Sequence, residues 1–394
     1  MTMTSPDLRS HISRRALFRE RLLPAAFGAS ALAAGLVPAG ARTLTPPRLY
    51  VSLLDFGITG RNDEDVSKAF QQAIGEAHQD GGGMVMCPPG LIWAKGLVVP
   101  NNITIQGAGV GATTVKLPDG ANEDVILQSG YAENKTFANL YFGLRDLSID
   151  GNKAKNKAGN LVVLRGWRGH LNRVRLSHAP QHGVLYSEKS LDGTLNLNGL
   201  AENSLRGCFI SECNGAGLFA DNEQGNRIAD MFVVDCVFHF NGTAGYYQID
   251  LERAAGFHIK GNQMYNGHLG DIRALGAGAL IVALNHFDGT GNNPVDGVLR
   301  QVVVETGGWG NVVIANNLFH THRRTDPAVT DWRQLEIASH AKSGVSITGN
   351  SFYASFDYGV SGLVRRGPGA DSIAVSGNAF GGTSREVTIA TWAR

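Results

Sequence analysis

Little in this chain points toward a charged partner. Its 35 lysines and arginines balance 34 aspartates and glutamates, leaving a net charge of +1. That gives no general attraction to nucleic acid or to an anionic membrane. Cysteine is scarce: Cys87, Cys208, Cys213 and Cys236 are the four, and their spacings fit no zinc pattern. The histidines are scattered. His320-Thr-His322 puts two rings on one strand face, but it opens a loop and has no third ligand nearby in sequence, so no metal site is expected there. After residue 41 no run is long and apolar enough to cross a bilayer. What the chain has in quantity is glycine, 51 residues in 394, set among short β-branched runs and only 18% charged residues. That composition suits a turn-dense, all-β body.

Between Tyr246 and Phe380 the chain repeats one unit five times: strand, turn, strand, and an asparagine two residues before a large apolar side chain. The asparagines are Asn262, Asn285, Asn317, Asn350 and Asn378, spaced 23, 32, 33 and 28 residues apart. A period of this size means stacked repeats, and strand-rich coils with Asn at a fixed turn predict a parallel β-helix. Asn tolerates the left-handed turn conformation, and stacked amides hydrogen-bond from coil to coil. An upstream repeat extends the stack: Val174…Gly183, Cys208…Gly217 and Cys236…Gly245 have the same internal spacing. This register places Cys208 above Cys236 on neighbouring coils, as core thiols.

Residues 1–41 are set aside from the fold. Arg9, Arg14, Arg15, Arg19 and Arg21 precede an Ala/Gly/Leu-rich run ending Ala39-Gly40-Ala41. Ser13-Arg14-Arg15-Ala16-Leu17-Phe18 resembles a twin-arginine export signal, which implies a periplasmic or secreted protein. Residues 42–394 then form one domain. Within it, Val66, Ala69, Phe70, Ala73, Ile74 and Ala77 make one helical stripe, with acids expected in its first turn. Such a helix caps the open N-terminal end of a solenoid core.

Asp55-Phe56-Gly57, this helix, Gly81-Gly82-Gly83, Pro88-Pro89-Gly90 and Asn102-Ile-Thr-Ile-Gln-Gly107-Ala-Gly109 follow one another over residues 50–117. Together they resemble the opening module of pectate-lyase-like β-helix proteins, the rhamnogalacturonase- and epimerase-like group. The departure is Gly60-Arg61-Asn62-Asp63, where that group carries Gly-Asp-Gly. The resemblance implies an all-β fold, a right-handed single-stranded parallel β-helix with an N-terminal capping α-helix, and coils running through 118–394. It leaves the reaction open, because lyases, hydrolases, epimerases and non-catalytic binders share the module. It also implies a polysaccharide or oligosaccharide substrate, with catalytic groups on an outer sheet face near mid-solenoid.

Counting back from each ladder asparagine gives that outer face. Twelve positions back the row reads Asp250, Arg273, Glu305, Ala338 and Arg366, with Asp271 beside it, and its upstream extension adds Glu188 and Asn222. Asp250, Asp271, Arg273 and Glu305 are therefore expected on one patch, as the catalytic candidates. Glu188, Asp221, Glu223, Tyr246, Tyr247 and Trp309 lie close by as substrate-binding candidates. The polar stretches 120–140, 187–203 and 321–334 are expected as flanking loops.

Two mechanisms compete on these residues. A lyase would use Arg273 as base, with Asp250, Asp271 and Glu305 holding Ca²⁺ against a uronate carboxylate. A hydrolase would use Asp250 and Glu305 as the carboxylate pair flanking the glycosidic bond. Arg273 between two acids stays charged, which suits a clamp better than a base, and hydrolysis is the first expectation. A uronate epimerase and a binder without turnover are the alternatives. No cofactor is implied except Ca²⁺ in the lyase case.

Overall fold

A computed structural model describes residues 49–134, 141–196, 199–222, 228–289, 297–321, 331–340, 342–355 and 360–389. The expected export signal and Glu223 lie outside them. Each coil lays down parallel strands in two sheets, one of 22 strands and one of 11. The narrow sheet runs in strict chain order, from Leu97–Val99 to Arg385–Ile389. Every consecutive pair in it is parallel, so the chain is a parallel β-helix.

The asparagines form the ladder the spacing predicts. Each of Asn262, Asn285, Asn317 and Asn350 donates its Nδ2 to a strand carbonyl and to the Oδ1 of the next asparagine, whose Oδ1 also accepts its backbone N–H. For Asn285 these distances are 2.9 Å to Ile259 O, 3.0 Å to Asn317 Oδ1 and 3.0 Å from its own N. The aromatic residues two places on stack in step, Phe287, Phe319, Phe352 and Phe380, with centroids 4.7, 4.7 and 5.0 Å apart. Upstream the ladder position passes to cysteine: Cys236 N donates to Asn262 Oδ1 at 2.9 Å. Cys208 and Cys236 sit one above the other as expected, buried and free.

The cap helix spans Ser67–Gln79 and buries Phe70, Ala73, Ile74 and Ala77 against the first coils. The acids stand before it, not in its first turn. Asp63, Glu64 and Asp65 belong to the strand Arg61–Asp65, and Asp65 Oδ1 accepts the Ser67 N–H at 2.9 Å. Two stretches read as loops contain strands of the narrow sheet. Ile126–Gln128 pairs with Leu97–Val99, and Asp331–Ala338 begins inside 321–334. Short apolar runs within polar sequence, Val125-Ile-Leu127 and Trp332, supply the inward side chains.

Candidate functional site

The narrow sheet presents one outer row: Leu185, Phe219, Asp250, Arg273, Val303, Glu336 and Val364. Asp250 and Arg273 are cross-strand neighbours, as the asparagine count requires. Glu305 is not in their row. Arg273 lies beside Val303, and Glu305 falls two residues further on, beside Ala338 and Arg366. The cause is turn length. After the narrow sheet, Gly307–Gly310 adds residues that the Gly278-Ala279 turn lacks, so a count from the asparagine overshoots. Glu188 and Asn222 also leave the row, by three residues, because Gly217 lies against Gln248 and not Gly245. Glu188 is buried.

Asp271 is corrected more sharply. It points away from the patch and is fully buried, accepting Gln248 Nε2 at 2.7 Å. Asp250, Asp271 and Glu305 therefore do not converge, and they do not fit the Ca²⁺ set of a lyase. Trp309 folds back over its own turn: a Cβ on Gly278 would meet its ring at 2.7 Å, and one on Gly307 its Nε1 at 2.5 Å. Its role is to close that turn.

Asp250 faces outward yet is 0% exposed, since Arg273 and Tyr247 cover it. Arg273 Nε lies 2.7 Å from Oδ1, and the Tyr247 N–H donates to Oδ2 at 3.3 Å. The guanidinium also sits 5.9 Å from the Tyr247 ring centroid, a cation–π contact. Burial pushes the Asp250 carboxyl up, while the Arg273 charge and hydrogen bonds pull it down. For Arg273, burial disfavours the charge, but Asp250 outweighs it and raises the pKa further. The ionic pair is the state that satisfies both groups.

Three coils from Asp250 the row reaches Glu336, 3% exposed, which gathers three arginines. Arg300 Nε is at 3.0 Å and Arg333 Nη1 at 2.8 Å, with Arg366 bonded to the other oxygen. Asp331 takes a share of Arg333. The three guanidiniums form an arginine ledge around Glu336. Burial opposes ionisation of Glu336, yet hydrogen bonds from Arg333 and Arg366 and the charges of Arg333 and Arg300 hold its pKa below the ordinary value.

Toward the N-terminal end, Phe219 carries a polar aromatic cluster. The His182 ring stacks on Phe219 at 4.6 Å, and Tyr246 stands edge-on to both, at 4.9 and 5.6 Å. The Ala216 N–H donates to His182 Nδ1 at 3.0 Å, so the neutral ring carries its hydrogen on Nε2. Burial pushes His182 down to about 4. Next to Gln181 opens a cleft of about 340 Å³ lined by Asp124, Tyr131 and Asn160 among others. Burial, then the charges of Asp124 and Asp221, push the Tyr131 hydroxyl up to about 12.

The shifts at His182 and Glu336 are both downward. His182 is depressed from 6.5 to about 4, so its stabilising effect is complete above pH 6.5 and is lost as pH falls toward 4. Glu336 is depressed from 4.5, so its contribution is complete above that value and is lost as pH falls through the folded-state pKa. Melting temperature against pH should therefore decline below 6.5 and decline again below 4.5. His182→Gln should flatten the first fall and Glu336→Gln the second. Unchanged curves in both variants would contradict the assignment.

The family described as rhamnogalacturonase A/epimerase, pectate lyase-like, matches residues 50–270. The chain belongs to that family. The rhamnogalacturonase A/epimerase match ends beside the Asp250–Arg273 pair, and a right-handed β-helix region matches residues 194–380. The chain is 28% identical over 256 residues to mannuronan C5-epimerase AlgE5 of Azotobacter vinelandii, which is 56% of this chain and 25% of that protein. Alginate lyase 7 of the same organism is 28% identical over 192 residues, 44% of this chain and 22% of that protein. The chain thus spans about a quarter of the length of these curated relatives. The A-module of A. vinelandii mannuronan C-5 epimerase AlgE4 shares the fold, with a TM-score of 0.57 at 18% identity, covering 87% of this chain and 100% of that one.

Proposed function

We propose that this family member is an exported enzyme acting on an acidic polysaccharide, removing and replacing the proton at C5 of a uronate. The observation that carries the reading is Arg273, a cation fixed by the buried carboxylate of Asp250, which stands in the outer row next to Phe219 of the His182–Phe219–Tyr246 cluster. A C5 proton is adjacent to the sugar carboxylate, so charge builds on that carboxylate as the proton leaves. A fixed guanidinium stabilises that charge without reorganising. Tyr246 and His182, on the coils that precede Arg273, are the groups proposed to move the proton, and Phe219 offers a face to the sugar ring. The arginine ledge around Glu336 receives the neighbouring uronates.

The relatives named for mannuronan C5-epimerisation support this reading, and the one named an alginate lyase supports a second. Elimination begins with the same proton loss and differs in expelling the O4 substituent. Hydrolysis has less support than the sequence suggested. The acid aligned with Asp250 is Glu336, three coils away or about 14 Å, beyond the roughly 6.5–9.5 Å of an inverting pair. Incubation with uronate-containing and neutral glycans separates the cases. Inverted C5 signals by NMR mark an epimerase, ultraviolet absorbance of a new double bond a lyase, and reducing ends without that absorbance a hydrolase. The third result, or no product from any uronate polymer, would overturn the proposal.

A further inference from the structure

On the wide sheet, apart from the outer row of the narrow one, two coils bring together three side chains that ligate metals. His286 and Asp288 share the outer face of the strand His286–Asp288, with Phe287 turned into the core. The next coil places His320 directly beside Asp288. One ligand atom from each of the three lies within 4.8 Å of the others. The partners of His320 come from the preceding coil and not from its own strand; His322 lies outside the described residues.

We propose that His286, Asp288 and His320 bind a divalent transition-metal ion of the zinc class. Two imidazoles and one carboxylate form a borderline-soft donor set, suited to Zn²⁺, Co²⁺ or Ni²⁺ and poorly suited to Ca²⁺ or Mg²⁺, which take all-oxygen shells. The spacing supports this class. Bonds of about 2.0–2.1 Å in a tetrahedron put neighbouring ligand atoms about 3.3 Å apart. His320 Nδ1 and Asp288 Oδ1 stand 3.7 Å apart, wider than a hydrogen bond and close to that edge. Side-chain rotation closes the remaining gap for His286. Both rings are also steadied: His286 lies edge-on to Tyr265 at 6.2 Å, and His320 meets Tyr353 at 5.4 Å. Each of the three ligands is half-buried, which leaves a coordination position open to solvent. A bound ion ties one coil to the next.

The test uses the full chain stripped of metal, titrated with Co²⁺ by visible absorption and with Zn²⁺ by calorimetry. One equivalent should bind, with cobalt d–d bands that Zn²⁺ abolishes and a melting temperature that rises with Zn²⁺. Asp288→Asn and His320→Gln should each weaken binding by at least about ten-fold, the size of effect seen even for residues outside the ligand set. His258→Gln, on the same sheet, should leave it unchanged. Melting in chelator checks that each variant folds. If a ligand variant fails that check, the other single variant and His286→Gln decide the matter. Absence of the cobalt bands, or Zn²⁺ affinity equal in wild type and ligand variants, would overturn the proposal.

Discussion

Arg273→Met is expected to abolish measurable turnover and to lower stability by about 3–5 kcal/mol, because it leaves a buried carboxylate without its cation. Asp250 is the group stranded, with only the Tyr247 N–H remaining to it. Lost stability could by itself explain lost activity, so a second variant separates them. In Asp250→Leu/Arg273→Met no charge is left uncompensated, and replacing a buried pair with apolar groups is often neutral. The double variant should recover most of the melting temperature and none of the turnover. If it recovers both, the pair is a structural clip and Arg273 has no role at the sugar.

The second large effect lies in the ladder. Asn317→Ala removes an Oδ1 that accepts from the Asn285 backbone and side chain, both at 3.0 Å, and an Nδ2 that donates to Val282 O at 3.0 Å. These partners are buried, and each unmet group costs about 1–3 kcal/mol. A total near 4 kcal/mol is expected, since such losses do not add fully. Asn378→Ala, at the half-exposed end of the ladder, should cost about 1 kcal/mol, because water replaces part of what is lost. Denaturant melts of the two variants check the ordering. Equal losses would mean that the ladder is not what holds the coils in register.

The ladder was legible in the sequence because it is strictly local: a turn that demands Asn, followed by an inward aromatic, repeats whatever the coil length. The same locality exposed the cap stripe and the Cys208–Cys236 stack. The outer row was legible only where the turns kept their length. From Asp250 to Arg273 the count from the asparagine holds. At Gly307–Gly310 and at Tyr246–Gln248 extra residues enter between strand and reference point, and Glu305, Glu188 and Asn222 shift out of line. The two-residue slip at Glu305 preserves the inward–outward alternation, so nothing in the hydrophobic pattern reports it, whereas the three-residue slip at Glu188 and Asn222 reverses it, and both are buried. Asp271 was misplaced for a different reason. It stands next to an inward isoleucine, and alternation assigns it outward, but the chain turns a corner there and buries both. The His182–Phe219–Tyr246 cluster joins three coils, and pairing registers, not spacing, bring it together.

The most direct test of the proposed chemistry is solvent exchange at C5. Poly-mannuronan incubated with the protein in deuterium oxide should gain deuterium at C5, read by NMR, wherever the proton is replaced; a sugar that is eliminated instead keeps no hydrogen at C5 and shows the ultraviolet absorbance of the new double bond. Tyr246→Phe and the stability-restored Asp250→Leu/Arg273→Met variant should show no exchange. Deuterium at C5 that depends on Tyr246 and Arg273 is the predicted result. Chain cleavage by wild type with neither deuterium at C5 nor the absorbance of a C4–C5 double bond, or undiminished exchange in both variants, would contradict it.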